Sequence, residues 1–219
     1  MTKNDLIFDL SNIEVERYFV VGELRGCYDN LINLLHVQNF TYKDVLITTG
    51  NILDIDNPRS LDLLYFIKNN NNCYSVKGRQ EFNILNLEDK PKWYENDLST
   101  FIEELPLVIK ITDNLYVVNT GVEPHKSFED QNIEVFYNID EYDKDSRFYQ
   151  FENPEKKSWY EFEFHKDNKL VKFCFGLNVV DITVPAGYAL GRDVKNNKSI
   201  KCLIVTKQNA DTPILVENF

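Results

Sequence analysis

A chain of 219 residues, 43% of them hydrophobic and 13% aromatic, can build one domain with a sizeable core, and this balance is globular rather than disordered. Its 35 acidic residues outnumber 24 basic ones, for a formal charge of −11. So acidic a surface repels the phosphates of DNA and RNA and the headgroups of anionic membranes, which leaves solubility or a basic protein partner as what the charge serves.

The first half alternates strand and helix signals. The apolar, β-branched run Tyr18 to Val21 ends at Gly22 and predicts a strand. Leu31, Ile32, Leu34 and Leu35 form a helical stripe within Asn30 to Val37. Val45 to Thr49 is a second strand, ending at Gly50, and Ser60 to Ile67 a second helix with Leu61, Leu64 and Tyr65 on its apolar face. After the polar loop Asn69 to Asn72 comes a third strand, Cys73 to Val76, running up to Gly78. This repeated order of strand, glycine loop and helix predicts a parallel α/β core. Further on, Leu107 to Thr112 and Leu115 to Asn119 are strands joined by a turn at Asp113-Asn114, followed by Leu170 to Phe175 and Ile200 to Thr206. The second half is therefore expected to be mostly antiparallel. The acidic stretch Glu129 to Glu155 has few periodic apolar positions and reads as a long surface excursion. In open α/β sheets, sites lie beyond the carboxyl ends of strands, which is where Gly22, Gly50, Gly78, Gly121 and Gly176 fall.

The cysteines Cys27, Cys73, Cys174 and Cys202 lack C-x-x-C spacing, so they read as free buried thiols of a reducing compartment rather than a zinc site. No apolar leader and no run of about 18 apolar residues occurs, which predicts a cytoplasmic protein with no membrane span.

The strand-end glycines carry a resemblance. Gly22-Glu23-Leu24-Arg25-Gly26 resembles the G-D-x-H-G motif of the calcineurin-like metallophosphoesterases, most closely the bacterial and phage serine/threonine phosphatases and the symmetrical diadenosine tetraphosphatases. Gly50-Asn51-Ile52-Leu53-Asp54-Ile55 stands where that family has G-D-x-x-D-R, Gly78-Arg79-Gln80-Glu81 at G-N-H-E, Val118-Asn119-Thr120-Gly121 at V-H-A-G, and Phe175-Gly176-Leu177-Asn178 at F-G-H-T. Gly187-Tyr188-Ala189-Leu190-Gly191 is similar to the family's closing turn. One such motif means little, but six in order at family spacing, from about Arg17 to Val205, form a strong fold signal. The resemblance implies that the whole chain, 1–219, is a single α/β domain: a metallophosphoesterase-like sandwich of two mixed β-sheets flanked by helices.

The family holds two divalent metals with Asp, His and Asn side chains, and adds a His as general acid and an Arg on the phosphate. Carried onto this chain, the first Asp is Glu23 and the first His is Arg25, a cation with no lone pair to give. The bridging Asp is Asn51, the ligand Asn is Arg79, the catalytic His is Gln80, and the phosphate-holding Arg is Ile55. The later ligand histidines are Asn119 and Leu177. Asp54 and Glu81 keep their identity, as supporting residues. One glutamate and two arginines leave the six ligand positions at +1 where two dications need anions. Two like unit charges about 4 Å apart repel by roughly 4 kcal/mol at an effective dielectric of 20, and a dication facing an arginine by about twice that. His36, His125 and His165 stand at no ligand position and read as surface or capping residues. No metal and no cofactor is therefore expected.

Two arrangements of the altered site are open. Arg25 pairs with Glu23 or another acid and Arg79 with Glu81 or Asp54, closing the metal void with salt bridges. Otherwise Arg25 and Arg79 converge and bind an anion such as a phosphate or nucleotide. The functional reading is a catalytically inactive pseudophosphatase acting as a protein-binding or structural module, with an unknown protein partner or self-assembly. Its contact surface is expected in the aromatic segment Glu129 to Phe164, through Tyr142, Tyr149, Trp159 and Tyr160. The alternatives are a residual metal-dependent phosphoesterase with an altered ligand set, a phosphate- or nucleotide-binding protein using Arg25 and Arg79, and an acidic mimic of nucleic acid. The frequency of the family in phages makes a virion or host-cytoplasm location part of the expectation.

Overall fold

The computed structural model describes residues 6–92, 94, 97–124, 126–139, 141–143, 146–149, 157–166, 169–177, 182–191, 199–206, 208–209 and 212–217; for 129, 141–143, 146–149 and 157 it describes the backbone alone. A first sheet holds β2 (Tyr18–Val21), β3 (Val45–Thr48) and β4 (Cys73–Ser75), all parallel, with β14 (Cys202–Val205) antiparallel to β2 and β15 (Ile214–Val216) antiparallel to β14. Helices α1 (Tyr28–Val37) and α2 (Arg59–Asn69) make the crossovers between its parallel strands. Such crossovers cover the sheet's outer face, and that is why β2 and β3 are apolar on both faces. Phe19, Val21 and Leu46 pack outward among Leu31, Leu34, Leu63 and Leu64. Tyr18, Val20, Val45 and Ile47 pack inward against the second sheet.

The second sheet runs in the order β1 (Ile7–Asp9), β5 (Val108–Thr112), β6 (Leu115–Val117), β11 (Lys169–Phe175), β13 (Gly187–Ala189), β12 (Thr183–Val184), with β10 (Phe164–Lys166) also paired to β11. Ile109, Val117, Cys174 and Tyr188 face the first sheet across the sandwich. Tyr116, Phe173 and Phe175 face the opposite way, toward Trp159 and Phe136. The molecule is thus an α/β sandwich of two mixed sheets flanked by helices.

The strand directions bear out a mostly antiparallel second half and add one feature to it. β5–β6, β10–β11, β12–β13 and β14–β15 all pair antiparallel. At the centre of the second sheet, however, β6, β11 and β13 run parallel, with Phe173 level with both Tyr116 and Gly187. Two further helices, α3 (Arg79–Asn86) and α4 (Asp97–Glu104), stand where no helix was expected, and seat Ile84, Leu98 and Ile102 in the outer core. The stretch read as a surface excursion contains α5 (Val135–Asn138), whose Val135 and Phe136 are fully buried, and the strands β7 (Glu141–Asp143) and β8 (Ser146–Tyr149), joined by β9 (Lys157–Ser158) into a third, small sheet.

Cys73, Cys174 and Cys202 are buried, Cys27 is half-buried, and all are free thiols. Among the described residues no helix is long and apolar enough to cross a membrane.

Candidate functional site

The loops that follow β2, β3, β4, β6 and β11 meet at one end of the sandwich. Backbone hydrogen bonds lace them together. Arg25 and Gly26 donate to the carbonyls of Asn51 and Ile52 at 2.9 and 2.8 Å, and Gly176 donates to the carbonyl of Asn119 at 2.7 Å. Two non-glycine residues here adopt left-handed backbone, Arg25 at φ 42° and Asn51 at φ 52°. Asparagine visits this region readily, whereas for arginine it costs on the order of 1 kcal/mol. The inter-loop bonds hold that strain in place. The neighbouring glycines are needed for space as well: a Cβ on Gly78 falls 2.5 Å from Asn51 N and 2.7 Å from Asn119 Nδ2.

The side chains form one connected network. Glu23, 9% exposed, accepts from Asn51 Nδ2 at 2.7 Å on one carboxylate oxygen and from Arg25 Nε at 2.9 Å on the other. The amide oxygen of Asn51 accepts the Gln80 backbone N–H at 3.0 Å. This fixes the amide's orientation, because a flip sets NH2 against N–H and oxygen against carboxylate. Asn119, fully buried, donates to the Thr49 carbonyl at 2.7 Å and accepts from Arg79 N at 3.2 Å.

Glu81 lies beneath this network and is fully buried. Its carboxylate accepts the backbone N–H groups of Asn51, Ile52, Leu53 and Gly78 at 2.8 to 3.2 Å. It is the third residue of α3 and reaches back to the residue that caps that helix, one arm of a capping box. Burial pushes its carboxyl up from the ordinary range, against the pull of the Leu53, Gly78 and Asn51 donors. Nearby Lys77, buried and donating to the Glu103 carbonyl at 2.6 Å, is pushed down by the same loss of water.

The predicted positions fare differently. Glu23, Arg25, Asn51 and Asn119 come together in the network, joined through their backbones by Arg79 and Gln80. Of the salt bridges proposed to close the site, Arg25–Glu23 forms at 2.9 Å. The one between Arg79 and Glu81 is replaced, since Glu81 serves the backbone and Arg79 turns its Nε to the Tyr137 carbonyl at 3.1 Å. Asp54 accepts the N–H of Asp56 at 3.1 Å and shapes the turn into α2. Ile55 stands 44% exposed, and with Gln80 it lines a cavity of about 420 Å³ along α3. Leu177 packs into the aromatic core of the second sheet. Asn57, which the motifs did not single out, clamps the strained turn by donating to the Gly26 carbonyl at 3.2 Å.

The proposed contact surface needs a correction. Trp159 is fully buried, its indole lying so close over Gly121 that a Cβ there falls 2.3 Å from the ring, so it fills core and faces no partner. Tyr160 is half-buried and stacks on Phe175, with centroids 6.1 Å apart. The side chains of Tyr142 and Tyr149, and His125 and Asn178, lie outside the described residues.

The donor set does not fit a pair of divalent cations. Metals need lone pairs from carboxylates, imidazoles or carbonyls. Here Arg25 and Arg79 have none, both Glu23 oxygens are held by N–H donors, and the Asn51 and Asn119 oxygens face backbone N–H groups. Among the described residues, no three His, Cys, Asp or Glu side chains gather as a metal-holding group.

Comparison with known proteins places the fold. A candidate diadenosine tetraphosphatase of known structure superposes with a TM-score of 0.80 over 97% of this chain and 98% of that one, at 20% identity. A serine/threonine phosphatase from Saccharomyces cerevisiae, similar to human PP5, gives a TM-score of 0.60 over 97% of this chain and 82% of that one, at 17% identity. In sequence, 69 residues are 38% identical to the symmetrical bis(5'-nucleosyl)-tetraphosphatase of Escherichia coli O139:H28, a match spanning 31% of this chain and 24% of the relative. No protein-family model matches the chain. The resemblance to the calcineurin-like metallophosphoesterases thus holds, and the chain has their fold.

Proposed function

We propose that this chain is a pseudophosphatase, a protein of metallophosphoesterase fold that performs no metal-dependent phosphoester chemistry and acts by binding a protein partner. The observation that carries the reading is the state of Glu23: the amide of Asn51 holds one of its oxygens and the guanidinium of Arg25 the other. Where the family's motif sets a bridging carboxylate between two ions, this chain sets a neutral amide that hydrogen-bonds its neighbour directly. Charge that elsewhere calls for a cation is answered within the protein. Gln80, which cannot titrate, and Ile55, which cannot hold a phosphate, complete the loss of chemistry.

The cavity along α3 is the surface offered to a partner. None of the residues lining the cavity beside Ile55 and Gln80 carries a charge, and Ile55 presents an apolar side chain at its rim. Such a surface suits a neutral, partly apolar protein segment better than a phosphate ester. Each arginine gives its Nε to a protein acceptor, Arg25 to Glu23 and Arg79 to the Tyr137 carbonyl.

Elemental analysis after Mn²⁺ loading and desalting, with turnover of p-nitrophenyl phosphate and diadenosine tetraphosphate, tests the reading. Manganese far below one ion per chain and no turnover above buffer are expected. Stoichiometric manganese with turnover abolished by Glu23→Ala refutes it.

A further inference from the structure

A second cavity, of about 460 Å³, opens on the outer face of the second sheet, and none of its lining residues belongs to the Glu23–Asn51–Asn119 network. Its size falls in the range of small-molecule sites, roughly 300–1,000 Å³. Its floor is aromatic. Phe173 of β11 meets the ring of Phe164 edge-on at 5.0 Å and that of Phe128 at 6.1 Å, so three rings from three separate elements converge. Aromatic faces and edges of this kind favour a flat apolar body laid against them.

The rim is polar. Lys126 stands on one side and His165 and Lys166 of β10 on the other, with the carboxylate of Glu163 next to β10. Lys126 pairs with Glu123 at 2.8 Å, whereas among the described residues no ion pair reaches Lys166.

The wall opposite β10 is built in advance. The Gln131 side chain accepts the Glu123 N–H at 2.7 Å and donates to the Glu123 carbonyl at 3.0 Å, tying Gln131 to Glu123. A pocket held open by its own hydrogen bonds loses little entropy when it is filled.

We propose that this cavity binds a flat, apolar organic anion, its ring system seated on Phe128, Phe164 and Phe173 and its negative group turned toward His165 and Lys166. Carboxylate, sulfonate and phosphate heads share that chemistry.

Fluorescence titration of the intact protein tests this with two probes of one ring system: the anion 1-anilinonaphthalene-8-sulfonate and the uncharged N-phenyl-1-naphthylamine. The anion is expected to bind saturably at one per chain, about tenfold more tightly than the neutral probe. Lys166→Glu, a change at an exposed position, is expected to weaken the anion about tenfold and leave the neutral probe unchanged. Val171→Trp, which projects bulk into the cavity, is expected to abolish both. If that variant does not fold, the Lys166 variant decides alone. Binding without saturation, or an anion affinity indifferent to Lys166→Glu, overturns the proposal.

Discussion

The network at the strand ends and the cavity over Phe173 both open at the surface of the same sandwich, yet they solve opposite problems. At the strand ends the polar side chains turn inward and find one another, so that Glu23, Asn51 and Arg25 are joined by direct hydrogen bonds. Over Phe173 the polar side chains stay at the rim and the interior is left to aromatic rings. The difference teaches how each region settles its polar groups. Unpaired buried charge costs several kcal/mol, so at the strand ends the side chains pair with one another. At the rim over Phe173 the polar groups stay exposed, and the volume beneath them is left to the rings.

That contrast can be broken at its base. Glu81→Ala strips an acceptor from four backbone N–H groups at once, and is expected to cost about 4 kcal/mol, a large share of a domain's stability. Urea unfolding measures it; a loss under about 1 kcal/mol removes Glu81 as the organiser of the loops. Arg25→Ala sharpens the contrast with a smaller effect. Its partner Glu23 keeps the Asn51 bond, and the pair is partly exposed, 29% and 11% by side chain, so about 1 kcal/mol is expected in the same assay. A cost as large as that of Glu81→Ala would place the strength of the site in the ion pair rather than in the amide.

Much of this was legible in the chain because of particular residues. Tyr18 to Val21 and Val45 to Thr48 are apolar on both faces, and such runs followed by glycine mark buried parallel strands. The spacing of Gly22, Gly50 and Gly78 placed Glu23, Asn51 and Arg79 near each other before any coordinates. The directions of β6, β11 and β13 were hidden, since a strand's side-chain period is the same whichever way it runs. Trp159 looked like a contact residue because aromatic residues serve cores and interfaces alike, and only its position over Gly121 decides between them. Helices α3 and α4 are eight residues each, and in segments that short periodicity alone does not tell a helix from a strand. The hydrogen bond from Asn51 to Glu23 was out of reach for a deeper reason. It depends on the left-handed turn at φ 52°, which residue type permits but does not require.

Asn51→Asp tests the central claim most directly, because it restores a carboxylate and removes one donor atom with almost no change in volume. If the amide has taken over the neutralising role, the variant sets two carboxylates against each other where Asn51 Nδ2 now meets Glu23 at 2.7 Å. Unfolding free energy at pH 7, in a chelating buffer, is then expected to fall by about 3 kcal/mol. The pair takes up a proton more readily folded than unfolded, so the native state binds the excess proton and stability rises again as pH falls toward 5. A variant as stable as the unaltered chain at pH 7, with no gain on acidification, contradicts the account.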